Sequence, residues 1–223
     1  MTKIGIEVHI QLPTQTKLFC RCKNPSTLTE AEPNTLTCEN CLGLPGSKPS
    51  LNKEAIFQAL KLAIALKCDI NKETFFSRKS YFYPDLPKNF QISQYEIPIA
   101  HSGFLKNIRI KRLHLEEDPG RLIHEGSTTL IDYNRSGIPL VELVTEPDFS
   151  SPAEVREFLR ELLSLLAYLE IYTRTSEASM RTDANISTSG ERVEIKNITG
   201  LRDVEKALNY ELRRQQQEIP KIQ

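Results

Sequence analysis

Three stretches of the chain alternate strictly between apolar and polar residues, with the period of two that β-strands show. They read KIGIEVHIQL at positions 3–12, MRTDANIS at 180–187 and RVEIKN at 192–197. We therefore predict three strands, each with one apolar face and one polar face. The polar faces carry Glu7 and His9, then Arg181, Asp183 and Asn185, then Glu194 and Lys196.

A fourth run, NIRIKRLHLEED, predicts a longer strand whose apolar phase shifts between Ile110 and Leu113. Such a shift is typical of a β-bulge. The polar residues at the end of this strand are His114, Glu116, Glu117 and Asp118. Further along, LIDYNRSGIPLVELVTEP predicts two strands that pair around the turn NRSG.

Three other stretches have the 3.6-residue periodicity of amphipathic helices. The first, NKEAIFQALKLAIALKC, begins after Asn52 as its N-cap. The second, SSPAEVREFLRELLSLLAYL, begins at Pro152 with Ser151 as its cap. The third is LRDVEKALNYELRRQQQ. The residues expected to face the core are Ile56, Leu60, Ala63 and Ile64 in the first helix and Val155, Phe158, Leu159, Leu162 and Leu166 in the second.

The stretch FFSRKSYFYPDLPKNFQISQYEIPI is aromatic, basic and interrupted by three prolines. Because proline cannot donate to a strand ladder, we predict irregular or edge structure there. Many strands joined by irregular connections, with only three long helices, do not make a βαβ repeat. The expected class is therefore α+β, a mostly antiparallel sheet with helices on one face.

The composition is that of an ordinary soluble protein, with 26% charged residues and a net charge of +0. A neutral chain is not by itself a basic surface for nucleic acid, so RNA binding would need local patches. No apolar run approaches the roughly 20 residues of a membrane span, and the N-terminus lacks the apolar core of a signal peptide. We expect no membrane association and a cytoplasmic location.

Four of the five cysteines form two close pairs, Cys20-x-Cys22 and Cys38-x-x-Cys41, with fifteen residues between them. This spacing is typical of a zinc ribbon, in which four thiolates close a tetrahedron around a structural ion. Two disulfides, or four unrelated buried thiols, are the alternatives, and the cytoplasmic signs favour zinc. We predict a zinc-binding insertion over about residues 18–46.

If the alternating strands share a sheet, their polar residues lie together on the face opposite the helices. A solvated sheet face would explain the alternation of any single strand. The set is nevertheless rich in Glu, Asp, His and Asn, which are ligands of magnesium or manganese, and clustered carboxylates repel unless a cation neutralises them. The cations that could then hold phosphate oxygens are Lys79, Arg112, Arg121 and Arg181.

The chain has no Walker A motif, no G-x-G-x-x-G and no G-x-S-x-G nucleophile elbow. If ATP binds here, it is expected to bind as a metal–phosphate complex on the carboxylate face. Two alternatives to a phosphoryl-transfer enzyme remain. A metal-dependent hydrolase also uses a floor of Glu, His and Asp, and a non-catalytic zinc module that scaffolds RNA or a partner would explain the cysteines.

Seven stretches, in order from residue 4 to about residue 197, resemble the GatB/GatE family, the B subunits of tRNA-dependent aspartyl/glutamyl amidotransferases. They are IGIEVHIQL, the cysteine pairs FCRC and CENCLGLPGSKP, RKSYFYPDLPKNFQISQ, RLHLEEDPG, DYNRSGIPLVELVTEPD, MRTDANIS and VEIKN. The family usually has EEDAGK, KNLNSF and RCDAN where this chain has EEDPGR, KNITGL and RTDAN. Arg121 keeps the charge of the usual lysine with a different geometry.

The resemblance implies one catalytic domain over residues 1–223, a cradle similar in fold to the sheet of glutamine synthetases. It implies that ATP phosphorylates the side chain of mischarged Glu-tRNA(Gln), Asp-tRNA(Asn) or both, and that ammonia then displaces the phosphate. The implied partners are the amidase (glutaminase) subunit, which makes ammonia from glutamine, and the small third subunit of a heterotrimer. Family members continue into a helical domain and a tail that hold tRNA, which we expect to be absent here.

The resemblance also implies roles for single residues. Magnesium ligands fall on Glu7, His9, Glu194 and one of Glu116 and Glu117. Strict alternation favours Glu116, but a bulge could turn Glu117 inward. These five residues and Lys79 form the expected catalytic set, and the four cysteines match the family's zinc site. The residues expected to contact the nucleotide are Arg112, Arg121, Arg181 and Lys196.

Overall fold

The computed structural model describes residues 2–28, 31–172, 179–188 and 191–218. Within these ranges the strands are β1 Lys3–Gln11, β2 Asp69–Ile70, β3 Ser77–Ser80, β4 Phe90–Ser93, β5 Ala100–Leu105, β6 Ile108–Glu117, β7 Arg121–Glu125, β8 Thr128–Asp132, β9 Pro139–Thr145, β10 Met180–Ser187 and β11 Val193–Ile198. The helices are α1 Glu39–Leu42, α2 Lys53–Ala65, α3 Pro152–Tyr168 and α4 Leu201–Glu218, with a 3-10 turn at Pro25–Thr27. None of the described helices is long and apolar enough to cross a membrane.

Nine of these strands form one sheet in the order β11-β10-β1-β9-β6-β4-β3, with β5 also beside β6 and β2 beside β5. The strands β7 and β8 form a separate hairpin. Every strand pair in the described part of the chain is antiparallel. The predicted α+β class with a mostly antiparallel sheet is confirmed.

The three long helices cover one face of the large sheet. The apolar residues of β1, β6, β9 and β10 share a single core with the inward residues of α2, α3 and α4. The side chain of Ser151 caps α3 by accepting a hydrogen bond from the backbone N–H of Glu154. All five residues of α3 predicted to face the core are buried.

The buried face of α2 agrees in part with the predicted one. Asn52 is the N-cap, as predicted. The buried residues of the helix are Ala55, Ala59, Leu62 and Ala63. Of the four residues predicted to face the core, Ala63 is buried, Ile56 and Leu60 are half-buried and pack against the core, and Ile64 is 65% exposed. The small alanines let the helix lie close to the sheet, and Ile64 lies on the side of the helix that faces solvent.

The predicted pairing around the turn NRSG is wrong. The strand β8 pairs with β7 across a turn that contains Gly126, whereas β9 pairs with β1 and β6. The burial of each strand explains the difference. Every residue of β9 is buried, which suits the centre of a sheet, whereas β8 is exposed or half-buried throughout.

The predicted bulge is confirmed, and the predicted edge structure of the proline-rich stretch is confirmed in part. The register of β6 on β9 shifts between Ile110 and Arg112. After the shift, Leu113 and Leu115 belong to the core, so the residues that alternate with them face the opposite side of the sheet. The proline-rich stretch contributes β3, which lies at the edge of the sheet, but also β4, which lies between β3 and β6 and was not expected inside the sheet.

Candidate active site

A histidine and two glutamates converge on the polar face of the sheet. One ligand atom from each of His9, Glu116 and Glu142 lies within 4.8 Å of the others. Nε2 of His9 is 3.3 Å from a carboxylate oxygen of Glu142. Nε2 of the buried His114 is 3.1 Å from a carboxylate oxygen of Glu116 and 3.5 Å from one of Glu142. We call His9, Glu116 and Glu142 the His–Glu cluster.

Strand register brings this cluster together. The central strand β9 places Glu142 opposite His9 of β1 on one side and opposite His114 of β6 on the other. Glu116 lies two residues after His114 and therefore on the same face of β6. Ser93 of β4 is paired with Glu116, and its hydroxyl donates a hydrogen bond of 2.7 Å to that carboxylate. Four neighbouring strands thus fix the cluster.

The surroundings of Glu142 keep its carboxylate charged although the side chain is nearly buried. Burial alone would raise its pKa, but the hydrogen bond from His9 and the charges of His114 and Arg112 outweigh burial and hold the pKa at about 2. The pKa of His9 is shifted in the opposite direction, upwards. Burial alone would lower its pKa, yet Glu142 and Glu116 raise it. The cluster therefore favours positive charge at its centre.

The donor set of the His–Glu cluster fits a hard divalent cation. One imidazole nitrogen and two carboxylate oxygens suit Mg²⁺ or Mn²⁺, and Mg²⁺ in particular keeps several waters when it binds. The cluster offers room for them, because Glu116 and Glu142 line an open pocket of about 750 Å³. Three protein ligands would leave further coordination positions for water or for phosphate oxygens.

The same pocket is rich in positive charge. Its wall comes mainly from β1, β3, β6, β9, β10 and β11. Its basic lining residues are Lys3, Arg78, Lys79, Lys111, Arg112, Arg192 and Lys196. Cations of this kind bind phosphate oxygens, and the pocket has the volume of a typical small-molecule site. Sequence reasoning found three of these seven and missed Lys3, Arg78, Lys111 and Arg192.

Two of the predicted magnesium ligands, Glu7 and Glu194, line this pocket beside the cluster rather than within it. Burial and the charge of Glu142 raise the pKa of Glu7, and the charge of Glu194 adds to that effect. Glu194 also forms an ion pair of 3.3 Å with Lys196. The carboxylates of Glu7, Glu142 and Glu194 are therefore close enough to repel one another, and a bound cation would relieve that repulsion.

Lys79 and Arg112 reach the pocket from different depths. Lys79 is exposed on the edge strand β3. Arg112 is anchored near the floor, where Nη2 is 3.5 Å from a carboxylate oxygen of Glu142 and the guanidinium lies 4.6 Å from the ring centroid of Tyr95. Lys79 is thus available to a ligand, whereas Arg112 is already engaged by the cluster.

Glu117 lies on the other face of the sheet from Glu116, because successive residues of a strand point to opposite sides. Its nearly buried carboxylate forms an ion pair with Lys88. The thiol of Cys41 is close enough to affect its charge. The structure therefore separates Glu117 from the His–Glu cluster, and this geometry favours Glu116 as the metal ligand.

Arg181 and Arg121 are not brought to the cluster. Nη2 of Arg181 donates a hydrogen bond of 2.7 Å to the buried carboxylate of Asp118, which also accepts one from Gln11 and lies near Arg135. Arg121 begins the separate β7–β8 hairpin and is absent from the residues that line the described pocket. Both arginines were predicted to hold phosphate, and the structure instead gives Arg181 a buried carboxylate partner.

The four cysteines of the predicted zinc insertion come together. The sulfurs of Cys20, Cys22, Cys38 and Cys41 all lie within 4.8 Å of one another, and all four are free thiols. Those of Cys38 and Cys41 are 3.9 Å apart, about the spacing that Zn–S bonds of ~2.3 Å give in a tetrahedron. The hydrogen bond with Cys20 and the charge of Lys17 lower the pKa of Cys41 to about 5 against the effect of burial. The donor set fits a structural zinc ion.

Glu142 is the member of the His–Glu cluster that the sequence did not reveal. Its strand, PLVELVT, is buried at every position and so shows no alternation. The available signal was a single charged residue inside an apolar run, since such a residue needs a partner when buried. His114 was predicted on the polar face, but its complete burial and its contact with two glutamates were not predicted.

Sequence comparison places the chain among known proteins. Residues 2–221 match the model of the GatB/GatE catalytic domain. The B subunit of the aspartyl/glutamyl-tRNA(Asn/Gln) amidotransferase of Methanospirillum hungatei is 54% identical over 96% of this chain and 48% of its own length. Proteins of the same name from Haloquadratum walsbyi and Thermotoga petrophila are 49% and 50% identical, over 97% and 95% of this chain and 49% and 48% of their own lengths.

The chain therefore spans about half the length of the curated relatives it matches. The family match, in contrast, covers nearly the whole chain, including the His–Glu cluster and the four cysteines. This confirms the resemblance found in the sequence motifs. The chain belongs to the GatB/GatE catalytic-domain family.

Proposed function

We propose that this chain carries out the phosphoryl-transfer and amidation steps of tRNA-dependent transamidation. The substrates in this proposal are ATP and mischarged Glu-tRNA(Gln), Asp-tRNA(Asn) or both. The observation that carries it is the His–Glu cluster, two of whose members, Glu116 and Glu142, line a pocket with seven basic lining residues. The names of the relatives support the choice of tRNA, because those proteins are called aspartyl/glutamyl-tRNA(Asn/Gln) amidotransferases.

In the first step, a side-chain carboxylate oxygen of the tRNA-bound Glu or Asp attacks the γ-phosphorus of ATP. A new O–P bond forms, the bond from the γ-phosphorus to the β–γ bridging oxygen breaks, and ADP leaves with the electron pair. The product is an acyl phosphate. Such a transfer depends on positioning and on stabilising the charge of the phosphoryl oxygens rather than on a protein nucleophile.

The residues of the pocket suit that task. His9, Glu116 and Glu142 would hold a divalent cation, which would neutralise charge at the phosphate oxygens. His114 and Arg112 keep Glu142 charged and oriented through the contacts described above. The pocket residues that remain available for the nucleotide and the reacting carboxylate in this proposal are Glu7, Glu194, Lys79 and Lys196.

In the second step, ammonia attacks the carbonyl carbon of the acyl phosphate, the C–O bond to phosphate breaks, and the nitrogen loses a proton to give the amide. No cysteine here is suited to release ammonia from glutamine. Four of the five lie together in the thiol cluster of Cys20, Cys22, Cys38 and Cys41. Burial and the charge of Asp69 raise the pKa of the fifth, Cys68, to about 11. Such a thiol is protonated near neutral pH and is a weak nucleophile. Ammonia comes from the amidase (glutaminase) partner, which joins this chain together with the small third subunit.

The aromatic segment after β3 suits a surface that receives the amidase partner. Tyr81, Phe82 and Tyr83 are 36%, 85% and 55% exposed. Exposed aromatic residues commonly anchor protein interfaces, since they bury a large area on contact. The segment directly follows Lys79 and Ser80 of the pocket-lining strand, so a partner bound there would meet the chain beside the reacting groups.

The proposal extends to the organisation of the chain. Residues 1–223 form the catalytic cradle domain, similar in fold to the sheet of glutamine synthetases, and the protein acts in the cytoplasm. A structural zinc ion belongs to the insertion over about residues 18–46, because four thiolates leave no open coordination position for catalysis.

Amide formation by the assembled enzyme tests this function. The full-length protein is incubated with its amidase partner, mischarged tRNA and glutamine, and the amino acid released from the tRNA is identified. We expect glutamine or asparagine when ATP and magnesium are supplied. Amide formed without ATP contradicts the phosphoryl-transfer step. Glutamine hydrolysis by the isolated chain contradicts the division of labour, and hydrolysis of simple phosphodiesters favours a hydrolase.

A further inference from the structure

Tyr95 is an exposed aromatic residue on a pocket wall that is otherwise polar or aliphatic. It is 63% exposed, and it is the one aromatic side chain among the described residues that line the pocket. Leaving a tyrosine ring open to solvent forgoes the free energy of burying it. A ring kept in that state inside a ligand-sized pocket offers a flat apolar surface to whatever the pocket binds.

The backbone that presents Tyr95 is held firmly in place. The preceding residue, Gln94, is fully buried. Its side-chain oxygen accepts a hydrogen bond of 3.0 Å from the backbone N–H of Leu115 in β6, and its side-chain nitrogen donates one of 3.1 Å to the hydroxyl of Thr74. On the other side, Glu96 accepts a hydrogen bond from Ser77 of β3. The exposure of Tyr95 is thus a fixed feature of the loop.

One face of the Tyr95 ring is already covered by a cation. The guanidinium of Arg112 lies 4.6 Å from the ring centroid, and its Nη2 is 3.5 Å from Glu142 of the His–Glu cluster. The same planar group therefore touches both the ring and the proposed metal ligand. The contact with Arg112 orients the ring and links it, through the guanidinium, to Glu142 of the cluster.

We propose that Tyr95, supported from behind by Arg112, is the platform on which an adenine ring stacks when a nucleotide occupies the pocket. This inference rests on the proposed function, since it is the cluster that would hold the phosphates. Purine rings stack on aromatic side chains, and a guanidinium behind the ring strengthens such sites. Two sources supply an adenine ring here, ATP itself and the 3′-terminal adenosine of the tRNA.

Stacking of this kind reads the flat face of a base and not its edge. Every base has such a face, so stacking contributes affinity without selecting one base over another. Removing the ring should therefore weaken the binding of ATP and the binding of GTP by similar factors. Binding of a phosphate chain that carries no base should stay unchanged.

The first experiment uses the absence of tryptophan from the chain. The substitution Tyr95→Trp keeps an aromatic face and introduces a single tryptophan, whose fluorescence can be excited apart from that of the tyrosines. We expect a non-hydrolysable magnesium–ATP analogue to quench its fluorescence, because the adenine ring would stack on the indole. Magnesium–tripolyphosphate should bind, as measured by calorimetry, with little quenching. A matched control is Tyr168→Trp, which replaces a tyrosine that is 84% exposed and outside the pocket.

The second experiment measures affinity in Tyr95→Ala and Tyr95→Phe. We expect Tyr95→Ala to bind the magnesium–ATP analogue roughly five- to a hundredfold more weakly, as loss of one base stack does elsewhere. Tyr95→Phe should bind it like the parent. If the loss affects a short RNA ending in adenosine and spares the ATP analogue, the stacked adenine belongs to the tRNA.

Three outcomes would overturn the proposal. If Tyr95→Ala binds the magnesium–ATP analogue and the RNA ending in adenosine as tightly as the parent does, Tyr95 is not a stacking platform. An equal loss for magnesium–tripolyphosphate shows that Tyr95 acts through Arg112 and Glu142 and not on a base. If the parent binds neither tripolyphosphate nor the ATP analogue, the proposed function itself fails and the platform fails with it.

Discussion

Glu142 and His9 face each other across the pair of β1 and β9, with Nε2 of His9 3.3 Å from a carboxylate oxygen of Glu142. The opposite neighbour of Glu142, His114 of β6, contacts the same oxygen at 3.5 Å. A carboxylate in the middle of a fully buried strand is thus held by imidazoles from both sides. Glu142 thus places a charge at a central position of the sheet, where a sheet with a structural role alone would have an apolar residue.

The first prediction concerns Glu142→Gln. The change removes the charge and keeps the shape, so His9, His114 and Arg112 lose their common partner. We expect magnesium-dependent ATP binding to fall at least tenfold and the free energy of unfolding to fall by about 3 kcal/mol, as when one partner of a buried ion pair is removed. Calorimetric titration and urea unfolding measure the two effects. Glu125→Gln, on the exposed β7–β8 hairpin, is the matched control and should change neither.

The second prediction concerns Glu194→Gln, which acts on the pocket wall rather than on the cluster. Glu194 is exposed, and its charge raises the pKa of Glu7. Magnesium-dependent ATP binding should weaken, because the wall loses one of its carboxylates. The fold should persist or gain slightly, because repulsion with Glu7 is relieved. If this variant binds magnesium–ATP as tightly as the parent, Glu194 has no part in holding the metal complex.

A third prediction tests the role of Glu117 through its partner. Lys88→Met leaves a nearly buried carboxylate without its cation, which should cost about 3–5 kcal/mol of unfolding free energy. Adding Glu117→Gln to the same chain should recover part of that loss, because both charges are then gone. Urea unfolding of the single and double variants gives the comparison. A double variant no more stable than Lys88→Met would show that the ion pair is not what stabilises this end of β6.

The fourth prediction concerns the thiol cluster. Protein purified without chelator should contain about one zinc ion per chain, the number that one closed tetrahedral site takes. Removing the metal should lower the melting temperature, because closed thiolate sites couple metal binding to folding. Cys38→Ser should reproduce the loss, whereas Cys68→Ser, outside the cluster, should retain the metal. A metal-free protein that melts like the loaded one would contradict a structural zinc site.

The parts of the fold that the sequence predicted well are those where a strand or helix has one apolar and one polar side. MRTDANIS alternates in burial as predicted except at Asp183, which is buried, and all five inward residues of α3 were identified. The bulge in β6 was visible because it breaks an otherwise regular alternation. In each case the pattern of residues within one strand or helix is enough to predict the feature.

The parts that the sequence did not predict depend on contacts between elements. Glu142 belongs to a strand that is buried on both faces, so its place in the cluster follows only from its neighbours β1 and β6. The charge of Arg181 suggested a phosphate ligand, but its partner Asp118 lies 63 residues away in the chain. Ile64 of α2 was placed in the core but is 65% exposed, because the buried side of the helix is formed by Ala55, Ala59, Leu62 and Ala63.

The most direct test of the central claim follows an oxygen atom. Mischarged tRNA is prepared with ¹⁸O at both oxygens of the side-chain carboxylate of its Glu or Asp and is incubated with ATP, magnesium, glutamine and the assembled enzyme. If ATP phosphorylates that carboxylate, mass spectrometry should find one ¹⁸O in the released phosphate for every amide formed, because the attacking oxygen leaves with the phosphorus. Amide formation accompanied by unlabelled phosphate would contradict the account.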